Sequence, residues 1–165
     1  MELLVVVLNY RTTDLTIDCL RAIAPEVAAS PGWRVAVLDN ASGGDALPRL
    51  EAAVAAHGWG GWAAVEGSPE NLGFTGGNNR VIRAALASAH PPEFVLLLNS
   101  DTRAAPGALG ALVAHLRAHP RAGIAGSALL TPEGTAQASP FRFGGVASEL
   151  ERGLKLGLVT RLLSR

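Results

Sequence analysis

Leu3-Leu4-Val5-Val6-Val7-Leu8 is apolar without interruption and stops abruptly at Asn9-Tyr10. A run that lacks polar alternation and is rich in Val predicts a strand covered on both faces, the environment of parallel strands in α/β proteins. The pattern returns twice. Arg34 to Leu38 ends at Asp39-Asn40, and Phe94 to Leu98 ends at Asn99-Ser100-Asp101; Trp62 to Val65 is a shorter candidate. Segments of helical period lie between them. Leu15, Cys19, Ile23 and Val27 recur every four residues, widened by Leu20 and Ala24, after capping candidates Thr12, Thr13 and Asp14. Leu47, Leu50 and Val54 follow Asp45 and Pro48, and Val81, Ile82, Ala85 and Leu86 make a helix from Asn78 onward. Leu109, Leu112, Val113 and Leu116 form a stripe with Pro106 in its first turn, and Ile124 to Leu130 is a last strand candidate. This alternation predicts an α/β fold with a largely parallel sheet, right-handed crossovers and flanking helices.

Each of the three apolar strands delivers polar groups at its carboxyl end, where open α/β sheets bind ligands. One such residue is ordinary loop composition; three of three point to a site. Asp101 carries the most chemistry, because a carboxylate at a rigid strand end can ligate Mg²⁺ or Mn²⁺, which prefer oxygen and share substrate phosphates. Its plainer role would be to cap the helix after Pro106. Asn99 adds a polar contact or orients the loop, with a weaker case for Ser100. Gly73-Phe74-Thr75-Gly76-Gly77-Asn78-Asn79 allows close backbone approach to a ligand and precedes a helix N-terminus that attracts anions. The same run is also readable as a tight loop followed by a cap.

Other chemistries find no support. No Gly-x-Gly-x-x-Gly follows the first strand, and there is no P-loop, no Gly-x-Ser-x-Gly elbow and no zinc-spaced Cys/His set. His115 and His119 share a helical face but flank its exposed side without a nearby carboxylate. Fourteen Lys plus Arg balance fourteen Asp plus Glu, so no global field draws the chain to nucleic acid. With charged residues at 17% and apolar ones at 48% of 165 residues, the chain is expected to fold, around one core. The single Cys19 and the absence of a basic-flanked leader point to a reducing, cytoplasmic setting.

Val7-Leu8-Asn9-Tyr10, Leu38-Asp39-Asn40-Ala41-Ser42, Glu70 to Asn79 and Leu97-Leu98-Asn99-Ser100-Asp101 together resemble the successive motifs of family 2, GT-A fold glycosyltransferases, most of all the bacterial rhamnosyltransferase-like branch. The resemblance runs from about Leu3 to about Ser139. It implies a Rossmann-like nucleotide-sugar-binding fold and a nucleoside-diphosphate sugar, UDP- or dTDP-linked, as donor. Asn9 and Tyr10 would border the nucleotide pocket, Asp39 would contact base or ribose, and Asn71, Gly73 and the Gly76-Gly77-Asn78 turn would lie along the nucleotide sugar. Asn99-Ser100-Asp101 would stand for the family's Asp-x-Asp motif, Asp101 facing a Mn²⁺ or Mg²⁺ ion. Transfer to a glycan or glycolipid acceptor by inversion would need a base downstream. Glu133, Glu149 and Glu151 are the carboxylates after Asp101, and none sits in a segment like the family's catalytic one; Thr131-Pro132-Glu133-Gly134 reads as a hairpin turn.

The resemblance therefore covers a donor-binding domain over 1–140, with the fold incomplete at the C-terminus and no catalytic base assigned. A non-catalytic nucleotide-sugar-binding module acting with a partner chain is the alternative. The segment 141–165 is read as a separate basic amphipathic tail. Leu150, Leu154, Leu158 and Leu162 repeat among Arg152, Lys155, Arg161 and Arg165, so that 149–165 would face an anionic membrane surface or a partner, or pack against the rest of the fold. A membrane contact would place the chain peripherally at the inner face of the cytoplasmic membrane.

Overall fold

The apolar runs become parallel strands. In the computed structural model, which describes residues 1–131 and 134–136, the order is β1 (Leu3–Asn9), α1 (Thr13–Ala28), β2 (Trp33–Asp39), α2 (Ala46–Ala56), a short 3₁₀ turn (Trp59–Gly61), β3 (Ala63–Gly67), α3 (Gly73–Leu86), β4 (Phe94–Asn99) and α4 (Ala108–Ala118). The four strands form one sheet in the order β3-β2-β1-β4, all parallel, with Asn9 opposite Asp39 and Leu8 opposite Asn99. The α/β expectation is met. The chain forms two compact units, Met1–Ala125 and Gly126–Arg165, and the sheet lies entirely in the first.

Alternation along β1 sends Leu3, Val5 and Val7 to one face, where they meet Leu20, Ile23 and Val27 of α1, Leu50 and Val54 of α2 and Leu109 and Val113 of α4 in one buried cluster. Each such side chain stabilises the fold by roughly 1.5–3 kcal/mol on burial. The opposite face carries Leu4, Val6 and Leu8, and here α3 approaches closely. A Cβ at Gly77 would sit 2.5 Å from Leu8 Cδ1 and 3.5 Å from Leu38 Cδ2, so glycine is what lets the helix reach the sheet.

Several elements depart from the sequence reading. The Gly73 to Asn79 run is no loop before a helix but the first two turns of α3, so the helix starts five residues earlier than Asn78. Leu15 is 48% exposed, and Thr16 takes its place in the buried stripe of α1 because Thr16 Oγ1 is satisfied by Asn9 Oδ1 and by the Thr12 carbonyl. Pro106 precedes α4, which starts after Gly107 at φ 81°. β4 is not covered on both faces by the described residues: Val95 and Leu97, on one face of the last strand of the described sheet, are exposed. Ile124 to Leu130 forms no strand in the described residues, with Ile124 91% exposed; Leu130 makes only an isolated antiparallel bridge to Ala136. Gly134 N–H donates to the Thr131 carbonyl and Thr131 N–H to the Thr135 carbonyl, while the turn expected at Pro132-Glu133 falls outside the described residues. Glu133 itself, Glu149, Glu151 and the tail 141–165 lie outside the described residues.

Candidate functional site

The first three strands progress in one direction across the sheet, and β4 then returns to the far side of β1. That reversal opens a crevice at the carboxyl ends of β1 and β4, the place where open parallel sheets hold ligands. The crevice encloses about 380 Å³ and is lined by Leu8, Tyr10, Thr12 and Leu15 on one side, Leu97 to Asp101 on another, and Asn40, Asn71, Gly73, Phe74 and Asn78 on the third. A smaller hollow of about 270 Å³ adjoins Asp39, Ala41, Gly43, Gly44 and Ser68.

The structure thus brings Tyr10, Asn71, Gly73, Asn78, Asn99 and Asp101 together and sets Asp39 at the second hollow. Asn9 lines neither. It is fully buried, and its carboxamide is consumed: Nδ2 donates to Asp39 Oδ1 at 2.7 Å and Ser42 Oγ at 3.1 Å, while Oδ1 accepts from Thr16 Oγ1 at 2.8 Å and Thr12 Oγ1 at 3.2 Å. Its position serves to join the ends of β1, β2 and α1. Gly77 faces Leu8 and Leu38, and a Cβ on Gly76 would face Leu72 at 3.1 Å, so both glycines pack rather than line the crevice.

Asn40 is a residue that the Asp39-Asn40 motif contains but that sequence reasoning assigned no role. It is 1% exposed; Nδ2 donates to Asn71 Oδ1 at 2.9 Å and Oδ1 accepts from Leu72 N–H at 2.9 Å, fixing the start of α3. Asn71 Oδ1 also accepts from Gly73 N–H. Gly73 and Phe74, the first residues of α3, line the crevice, so the positive end of the helix lies at its wall. Two non-glycine residues, Arg11 (φ 58°) and Ala41 (φ 60°), hold left-handed backbone two positions beyond the paired residues Asn9 and Asp39. Such strain clusters where a fold must aim groups at a ligand. No sequence signal announces it, since both are ordinary residues.

Opposite α3, Thr102 N–H donates to the Asn99 carbonyl at 3.0 Å and closes a turn with Ser100 and Asp101 at its centre. Asp101 is exposed and makes no hydrogen bond or ion pair among the described residues. The described residues hold no cluster of three His, Cys, Asp or Glu. Among the described residues Asp101 is the carboxylate that a divalent cation in the crevice could take, and a hard ion can complete its shell with ligand phosphate and water.

Beneath the turn, Cys19 Sγ donates to the Asn99 carbonyl at 3.6 Å. Burial, helped by the charge of Asp101, pushes this thiol from 9.0 up to about 11. The folded state therefore retains a proton that the unfolded chain releases, and the stability this contributes is present below pH 9 and lost as pH rises toward 11. In metal-free buffer, the gap in unfolding free energy between wild type and Cys19→Ala should narrow over that window. A gap constant from pH 8 to 11 would show that the thiol is not held protonated.

A crevice at a topological switch, lined by the start of α3 and by the carboxylate of Asp101, is the candidate ligand site of this α/β domain. The sequence matches the glycosyl transferase family 2 model over residues 4–158, and the chain belongs to that family. Among solved structures it is similar to S. aureus TarS 1-349 in complex with UDP, with a TM-score of 0.55 and 21% identity, covering 73% of this chain and 33% of that one. The complex of S. aureus TarS 1-349 with UDP-GlcNAc gives 0.54 and 19%, covering 73% and 32%. This chain thus spans about a third of the length of those structures, and the likeness shows the fold, a GT-A type α/β sheet. No individual curated protein matched by sequence. Among the described residues, no helix is long and apolar enough to cross a membrane.

Proposed function

We propose that the crevice binds the diphosphate of a nucleoside-diphosphate sugar, with Asp101 holding a Mn²⁺ or Mg²⁺ ion against it. The observation that carries this reading is that an anion-attracting element and a cation-attracting one line the same crevice: the start of α3 at Gly73 and the carboxylate of Asp101, which has no partner among the described residues. A bound cation would neutralise charge on the departing nucleoside diphosphate, the chemistry metal ions supply in such transfers. On this reading the hollow beside Asp39 takes the nucleoside, and Tyr10, Asn71, Asn78 and Asn99 border the phosphates and sugar. UDP, present in the TarS complexes, is the first nucleotide to test, with dTDP beside it, and rhamnose is one sugar within the reading.

The acceptor is a glycan or glycolipid, as in polysaccharide or cell-wall assembly, and transfer proceeds with inversion. Asp101 is the only carboxylate that lines the crevice among the described residues. Since it is assigned to the metal, the base that takes the acceptor proton lies elsewhere. This favours a donor-binding role for residues 1–140. Residues 149–165, with their Leu and Arg pattern, are assigned to a membrane surface or a partner chain, with the chain peripheral at the cytoplasmic membrane.

Thermal unfolding against a panel of nucleoside diphosphates and their sugars tests the reading. Each is measured with Mn²⁺ and with a chelator. UDP- or dTDP-based ligands should raise the midpoint far more with the metal than with the chelator; failure of every nucleotide would overturn the assignment.

A further inference from the structure

Thr12 occupies the N-cap of α1, yet its hydroxyl makes no bond to the helix that it precedes. A threonine there ordinarily satisfies a first-turn N–H. Here Oγ1 turns sideways, donating to Asn9 Oδ1 at 3.2 Å and lying 3.0 Å from Ser100 Oγ. The Thr12 hydroxyl has one proton, and a carboxamide oxygen can only accept, so Ser100 is the donor in the second bond. The result is a chain of donors running one way from Ser100 through Thr12 and Asn9 to Asp39, the last step at 2.7 Å. Hydrogen bonds aligned in this manner polarise and strengthen one another. The chain crosses from the tip of β4 to the tip of β2, joining the turn that carries Asp101 to the residue at the second hollow.

We infer that Thr12 is a positioning residue whose hydroxyl latches the Asn99 to Thr102 turn to the end of β1, keeping Asp101 aimed into the crevice. Its consequence for a ligand rests on the donor-site reading above, whereas the latch itself belongs to the free protein. Cys19 makes the latch measurable. It is the sole cysteine, it is 1% exposed, and its thiol bonds the carbonyl at the root of the same turn, so a thiol reagent reaches it when the turn opens.

The test is the labelling rate of Cys19 in the 165-residue chain, at one pH and in metal-free buffer. Thr12→Val should speed labelling by roughly threefold to tenfold, the range that follows from the net worth of one hydrogen bond. Ser100→Ala should do the same, the double variant should be no faster than either, and Thr12→Ser should return the wild-type rate. Val54→Ala, a core truncation in α2, reports global unfolding and should leave the rate nearly unchanged. An unchanged rate in Thr12→Val, multiplying effects in the double variant, or an equal acceleration by Val54→Ala would each overturn the latch. With Mn²⁺ present, Thr12→Val should weaken UDP binding by a similar factor and Thr12→Ser should restore it; undiminished binding by Thr12→Val would also count against the latch. If the labelling results hold while the wild-type chain binds no UDP, the latch stands and the donor-site reading falls.

Discussion

Replacing Asn9 with Ala should cost roughly 3–4 kcal/mol of stability, among the largest effects of any single change outside the apolar core. The side chain is completely buried and both its nitrogen and its oxygen are doubly engaged. Its removal leaves the carboxylate of Asp39, itself only 5% exposed, without its 2.7 Å donor, and opens a small cavity at the junction of β1, β2 and α1. For a chain of this size each kcal/mol moves the melting midpoint by about 3 °C, so a fall of roughly 10 °C is expected in thermal unfolding. Asn9→Asp adds a sharper test. It places a second carboxylate against Asp39, and like charges raise each other's proton affinity. The variant should therefore be least stable at neutral pH and recover toward acid, as one carboxylate of the pair becomes protonated. An Asn9→Asp variant as stable as wild type at pH 7 would show that the buried junction is not as tight as these distances make it.

Asp101→Ala should have the opposite signature, with little effect on the free protein and a large one on the bound protein. The side chain is exposed and has no partner among the described residues, so its loss should change stability by less than about 0.5 kcal/mol. Wild type at a UDP concentration about 100 times its Kd, with Mn²⁺, gains about 2.7 kcal/mol from ligand linkage. That corresponds to a midpoint rise of roughly 8 °C. Asp101→Ala should lose nearly all of it, and Asp101→Asn, which keeps the shape and removes the charge, should lose as much. A metal-dependent rise that survives both substitutions would place the cation elsewhere.

The strands were legible because their environment is written into them. An unbroken Leu/Val run such as Leu3 to Leu8 cannot be exposed on either face without large cost, and Leu3 to Val7 lie buried in the sheet with Leu8 half-buried. The same pattern misleads at β4. Val95 and Leu97 are as apolar as their counterparts in β1, and periodicity carries no information about which face of a strand another element covers. Thr16 was invisible for a different reason: its burial depends on hydroxyl partners supplied by Asn9 and Thr12, which no hydrophobic count records. In α3, glycine read locally means a loop, at about 1 kcal/mol against helix per residue. Gly77 is helical nonetheless, because the close approach to Leu8 depends on the missing Cβ.

Much of the site was readable as residues at strand ends, since a polar group after a buried strand has few places to go except the carboxyl edge of the sheet. What the sequence withheld was the division of labour among them. Asn9 looks like Asn99 on the page, yet the first is a buried cross-link that lines no crevice and the second lines one, while Asn40 and Asn71 bond each other at its wall. Only the network of partners separates a structural amide from one that faces a ligand. Thr12 shows the same limit: it was read as a helix cap, and its position is that of a cap, but its hydroxyl serves β4.

The central claim is that one crevice holds a cation at Asp101 and a nucleoside diphosphate beside it. Amide resonances of the ¹⁵N-labelled chain, followed by NMR as Mn²⁺ and UDP are added, test it most directly, because Mn²⁺ broadens signals by proximity and UDP shifts them without the metal. Broadening should centre on Asn99, Ser100 and Asp101 and extend to Thr12 and Gly73, while UDP shifts signals around Asp39, Ala41 and Ser68. Broadening scattered over surface carboxylates such as Asp14, Asp18 and Glu51, with the strand ends untouched, would contradict it.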